Sequence, residues 1–365
     1  MSASENGFDL EKLFAAVFQP RKGEKVMVIA DLPHGDIIDN SAWSERRQMA
    51  LEWQRSLTNV SKKLNIKVLP LAFYAATGQN NGPLPENARM EGRTLPLVEL
   101  LQETDIVLAM TEYSATAPLM TLGRELGELR GASMPGVSKD MEETGLSADY
   151  QDLARKTQML VSRLQEAHGA RVTFTTGHEL YIDLRYRQAE ADDGQCPPGA
   201  NPPFINLPSG EAYQAPYEGE REDEPSRTAG MIPIQLIDEV ILLRVEDNRI
   251  VEVGGDGVKA EDLRAFFEVD PARRNVAELG LGCNEKAVVS GQILEDEKAG
   301  FHWAYGRSEH MGGTVGPDDF ADPSHVVHTD IVYAADSPIG IERLALEFPE
   351  GSCEEIMRNS VYTIF

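Results

Sequence analysis

The sequence predicts an α/β protein in two parts: an N-terminal doubly wound parallel-sheet domain over residues 1–168 and a β-rich α+β domain over residues 169–365. Three observations predict it. Helical periodicity alternates with short apolar runs through the first third of the chain. A long amphipathic segment at 149–168 ends at Gly169, where a C-terminal cap is expected. Beyond it the segments are short, strand-like and separated by Gly/Pro-rich loops.

Taken in order, residues 10–18 read as a helix, 25–30 (KVMVIA) as a strand, 41–64 as a long helix and 66–74 as a strand. Residues 91–102 read as a helix, 105–110 (DIVLAM) as a buried strand and 115–129 as a helix. Strand and helix in turn imply a parallel sheet covered on both faces. The loop 31–36 (DLPHGD) follows the first strand, where open α/β sheets often bind ligands, but it has neither a G-x-G-x-x-G nor a P-loop lysine. In the second part, strands are expected at 172–176, 180–184, 240–245 and 250–253, with one helix near 261–267. Residues 195–203 and the charge run 218–228 are loop by composition.

The 365 residues carry a net charge of −26 and only three cysteines, Cys196, Cys283 and Cys353. That charge repels phosphate backbones, and no basic stripe offsets it, so nucleic acid is not an expected partner. No apolar run of about 18 residues and no secretory leader occur, so a cytoplasmic protein without a membrane partner is expected. Cysteines odd in number and far apart argue against a disulfide framework and a cysteine zinc site.

Chemistry concentrates in the second part. His302, His310, His325 and His328 cluster, and His328-Thr-Asp330 leads into the apolar Ile-Val-Tyr of a strand. Residues two apart on a strand share a face, so this imidazole and carboxylate converge, as divalent metals require. A buried Asp–His hydrogen bond would need no metal, and His302, among small and aromatic residues, reads equally as a core histidine. Glu278 lies in a stretch apolar on both sides, where an unpaired carboxylate is costly and a positive partner is expected. Glu211 follows a turn built by Pro208 and Gly210 that would aim its side chain inward; an exposed turn glutamate is the alternative.

The order N-x-P-x-G-E, A-E-L-G-x-G-x-N, D-E-K-A-G-x-H-x-A-x-G, G-G and H-x-D over residues 206–333 resembles the aminopeptidase T family of metallo-aminopeptidases. The resemblance implies that Glu211, Glu278, His302, His328 and Asp330 hold a pair of divalent ions, drawn from Zn, Co, Mn or Mg. It also implies a homodimer acting on small peptides. Glu278 is the candidate proton acceptor, because an apolar surround raises a carboxylate's pKa. The family's active-site tyrosine falls on Glu309, which is carried as a second candidate catalytic residue, with surface and extra-ligand readings open. Tyr305, three residues along the strand from His302, should face away.

Two other readings stay open. A ring-cleaving dihydroxypyridine dioxygenase family, related in fold, holds one iron with two histidines and a carboxylate. His328 and Asp330 would serve it equally, but that family has a histidine where this chain has Glu278 and lacks a match to Glu211. A catalytically inactive homologue that keeps its metal is the third. Covalent chemistry finds no G-x-S-x-G elbow and no H-E-x-x-H helix. Cys283 reads as core.

Overall fold

The computed structural model describes residues 7–365. It has a mixed α/β architecture with a parallel-sheet region and β-rich regions. Two compact units are distinguished. Among the described residues the first contains 7–154, 192–210 and 284–295; the second contains 155–191, 211–283 and 296–365. Two short segments beyond residue 168 thus pack with the first unit, and the first change of unit falls inside the helix Tyr150–Glu166.

In the first unit the strand Lys25–Leu32 sits centrally, parallel to Ala72–Ala75 on one side and Ile106–Ala109 on the other. Arg130–Ser133 and then Phe204–Asn206 extend the parallel run. The chain therefore winds outward from Lys25–Leu32 in two directions, the doubly wound pattern. Met27, Ile29, Val107, Leu119 and Phe204 meet in its core. The helices Leu10–Phe18 and Ser41–Leu64 start at N-caps Asp9 and Asn40, whose side chains accept from the backbone N–H three residues on, as capping requires.

Three expected elements differ. The strand at 66–74 is broken into Lys67–Val68 and Ala72–Ala75 around Pro70, which has no N–H for a ladder. The helix expected at 91–102 is a hairpin, Asn87–Met90 with Arg93–Pro96, followed by the short helix Leu97–Gln102. Its turn places Glu91 and Gly92 at φ 49° and 77°, which no helix tolerates. Gly169 does not cap a helix but opens the strand Gly169–Phe174, where an added Cβ would overlap the Tyr181 hydroxyl.

The first two residues of the expected 31–36 loop continue the strand Lys25–Leu32, and Asp31 is buried there, engaged by Trp43 Nε1 and the backbone N–H groups of Glu112 and Tyr113. It ties neighbouring loops of this sheet together. No helix of the described residues is long and apolar enough to cross a membrane.

The second unit holds an eight-stranded antiparallel sheet and most of a five-stranded one. Four neighbouring strands of the latter carry the site, in the order Glu211–Gln214, Val276–Gly282, Phe301–Gly306 and His328–Tyr333, all antiparallel. Val276–Gly282 and Phe301–Gly306 are buried along their whole length, which explains their near-continuous apolar sequences. His328–Tyr333 is half-buried at the edge.

Candidate metal centre

Register builds the site. Residues directly opposite in an antiparallel pair share a face. Glu278 stands opposite Ala304, and Ala304 opposite Asp330. Gly280 stands opposite His302, Gly282 opposite Glu211, and Gly306 opposite His328. One sheet face thus presents five donors with Gly280, Gly282, Ala304 and Gly306 between them, leaving room among the donor side chains. A register shift between Val276 and Glu278 is a β-bulge, the device that re-aims a side chain beside a site. Gly280 is required as glycine, because an added Cβ would overlap the His302 ring.

The five donors divide into two half-sets around Glu278. Its Oε2 lies 3.0 Å from His328 Nε2, which is 3.6 Å from Asp330 Oδ1. Its Oε1 lies 3.5 Å from His302 Nε2, which is also 3.5 Å from Glu211 Oε2. Glu278, His328 and Asp330 offer three atoms all within 4.8 Å of one another.

Both imidazoles have their Nδ1 on a backbone carbonyl, His328 on Arg307 at 2.8 Å and His302 on Gly300 at 3.3 Å. This is the orienting contact that leaves Nε2 as a metal donor. Glu211 Oε2 and His302 Nε2 are buried with no hydrogen-bond partner. Two such orphans facing each other fit a metal, since buried polar atoms otherwise find partners.

Electrostatics follow the same division. Burial pushes the Glu211 carboxyl up to about 8, against the pull of Lys298. Burial works on Glu278 in the same sense, but the His302 and His328 imidazoles beside it overrule that and hold the carboxyl below the usual range. The apolar surround therefore does not make Glu278 the raised carboxyl; the imidazoles beside it reverse the expectation. Burial alone would lower both imidazoles. Glu278 and the other carboxylates instead raise His302 to about 9, and Asp330 with Glu278 raises His328 to about 11.

The structure does not bring Glu309 into this group. It lies in the short 3-10 turn Glu309–Met311, where its carboxylate is paired with Arg307, Nε at 3.0 Å, and lies near His310. Its neighbour His310 is what reaches the donors, its ring edge-on to His328 at 5.0 Å. His325 belongs elsewhere, 3.1 Å from Asp270. Tyr305 packs on Phe266 and Phe267, away from the donors. Cys283 lies 3.3 Å from Thr157, and burial pushes its thiol up to about 12, so it behaves as core.

Lys298 escaped the sequence reading. It is fully buried, its Nζ 2.5 Å from Glu211 Oε1 and 2.7 Å from Glu297 Oε1. The signal was present: Lys298 is the lysine of the D-E-K-A-G-x-H motif itself, four positions before His302.

Two solved structures share the fold. Wild-type AmpT from Thermus thermophilus aligns with a TM-score of 0.56 at 16% identity, over 97% of this chain and 99% of that one. A 2,5-dihydroxypyridine dioxygenase from Pseudomonas putida KT2440 aligns with a TM-score of 0.62 at 15% identity, over 98% and 97%. No protein-family model and no curated protein matches the chain. At such identities the likeness is one of fold, and the site must argue the chemistry.

Proposed function

We propose that the chain is a metal-dependent aminopeptidase of the aminopeptidase T type, removing N-terminal residues from small peptides. The observation that carries this reading is Glu278, whose two oxygens face two different half-sets, Glu211 with His302 and His328 with Asp330. A carboxylate so placed suits two divalent ions. The fold shared with AmpT supports the reading.

When bound there, a pair of divalent ions would polarise a carbonyl and acidify a water molecule. The chain's own groups do the rest. Glu278 links the half-sets, and its low carboxyl pKa suits a ligand better than a proton acceptor. The backbone carbonyls of Gly300 and Arg307 hold the imidazole tautomers. Gly280 keeps the space that His302 occupies. Mixed oxygen and nitrogen donors accept Zn, Co or Mn according to supply, with Mg less favoured by imidazole.

The test is hydrolysis of amino-acid p-nitroanilides and dipeptides by protein reconstituted with zinc, cobalt or manganese. Turnover that disappears in Glu278→Gln supports the reading; bound metal with no turnover across a broad panel ends it.

A second reading has its own support. The tightest group is the single triad Glu278, His328 and Asp330, which would suffice for one ion. His302, His328 and Asp330 also supply the two-histidine, one-carboxylate set of non-haem iron oxygenases, and the dioxygenase fold aligns comparably. One iron per chain with O₂ uptake on a dihydroxylated ring would favour it.

A further inference from the structure

Lys298 is a buried charged group beside the donors that the proposed chemistry leaves unused, and its placement is built by two glycine positions. Gly282 stands opposite Glu211, and a Cβ on Gly282 would overlap the Glu297 carbonyl and the Lys298 backbone. Its N–H also donates to Gly300 O at 2.9 Å. The missing side chain lets the 297–300 backbone run against the strand, and the Lys298 side chain thereby reaches Glu211.

The two Glu211 oxygens then have different fates. Oε1 is held by the Lys298 ammonium at 2.5 Å, and Oε2 is the buried orphan 3.5 Å from His302 Nε2. We propose that Lys298 is a positioning residue that fixes Glu211 as a one-oxygen donor, turning Oε2 into the cluster by holding Oε1 outside it. The inference rests on the two-ion reading above. Glu297, on the same ammonium at 2.7 Å, anchors Lys298 from its other side.

The sign of the effect separates this role from plain electrostatics. A cation beside a ligand repels an incoming metal, so removing Lys298 should strengthen metal binding by Coulomb's law alone. A positioning role predicts the reverse, a loss of about 10- to 100-fold, as for other groups that orient metal ligands.

Zn²⁺ and Co²⁺ binding is measured by chelator competition on full-length wild type, Lys298→Met, the double variant Lys298→Met/Glu297→Gln and Glu297→Gln. Folding is checked by circular dichroism, and the Co²⁺ d–d spectrum reports the ligand field. The double variant removes one ammonium and one carboxylate together, so the net buried charge is unchanged, whereas Lys298→Met also strips Glu297 of its cation and could unfold.

Wild type is expected to bind two ions. Folded Lys298 variants should keep one and bind the other at least about 10-fold more weakly, with an altered Co²⁺ spectrum. Glu297→Gln, which leaves the ammonium on Glu211, should stay near wild type. Wild-type affinity and spectrum in the folded double variant would overturn the proposal, as would an equal loss in Glu297→Gln. A wild type that takes one ion only would end the two-ion reading, and Lys298 would then be judged on the affinity of that ion.

Discussion

The His302 ring fills the volume in which a side chain at residue 280 would stand: the two residues face each other across adjacent strands, and a Cβ on Gly280 would overlap Nε2. Gly280→Ala should therefore displace the imidazole while leaving the sheet otherwise paired. We expect a stability loss of about 1–3 kcal/mol from overpacking and weaker metal binding in the half-set holding His302. Thermal melts with and without chelator check it; a folded variant with unchanged affinity would contradict the geometry.

The half-sets should be separable. Asp330→Asn with His328→Ala should lose one ion and keep the one held by Glu211, His302 and Glu278. Glu211→Gln with His302→Ala should do the converse. Glu278→Gln should weaken both and lower turnover by at least about 100-fold. Elemental analysis after dialysis reads the outcome, and equal losses in all three variants would argue for a single shared site.

Protons should leave when metal enters. Without metal, His302 and His328 are raised to about 9 and about 11, and Glu211 to about 8. Metal ligation requires deprotonated donors, so loading at pH 7 should release about two to three protons per chain. Titration calorimetry in buffers of different ionisation enthalpy measures this, and zero release would contradict it.

The same shifts set the pH dependence of the metal-free protein. A histidine whose pKa is raised on folding contributes its full stability below its ordinary value of about 6.5 and loses it as pH climbs through the folded value. Glu211, also raised, shifts stability in the same direction between its ordinary value and about 8. The melting temperature of chelated protein should fall from pH 6 to pH 10, while the gain from added metal widens. A metal-free melting temperature that rises over this range would be inconsistent with the buried charge cluster.

Glu309→Ala should alter kcat/KM less than about 3-fold, because its carboxylate is spent on Arg307 at a partly exposed turn. A loss comparable to that of Glu278→Gln would place Glu309 in the chemistry after all.

The helices Leu10–Phe18 and Ser41–Leu64 were legible to the residue because periodicity and caps agreed. The 87–96 hairpin was not, since its turn rests on positive φ at Glu91, a residue whose type favours helix. The strand Arg130–Ser133 has no apolar run to announce it, and it is buried by its neighbours rather than by its own pattern. Glu211, Glu278, His302, His328 and Asp330 were named through motif order. Their division into two half-sets was not legible, because it depends on cross-strand register and the bulge before Glu278. Lys298 was overlooked because a lysine is ordinarily a surface residue, and only the close approach at Gly282 shows that it is buried.

The most direct test of the central claim is metal content per chain, read by elemental analysis on reconstituted protein alongside dipeptide hydrolysis and O₂ uptake. Two divalent ions per chain and hydrolysis without oxygen consumption are expected. One iron per chain, with oxygen consumed on a dihydroxylated ring and no peptide cleaved, would contradict that claim.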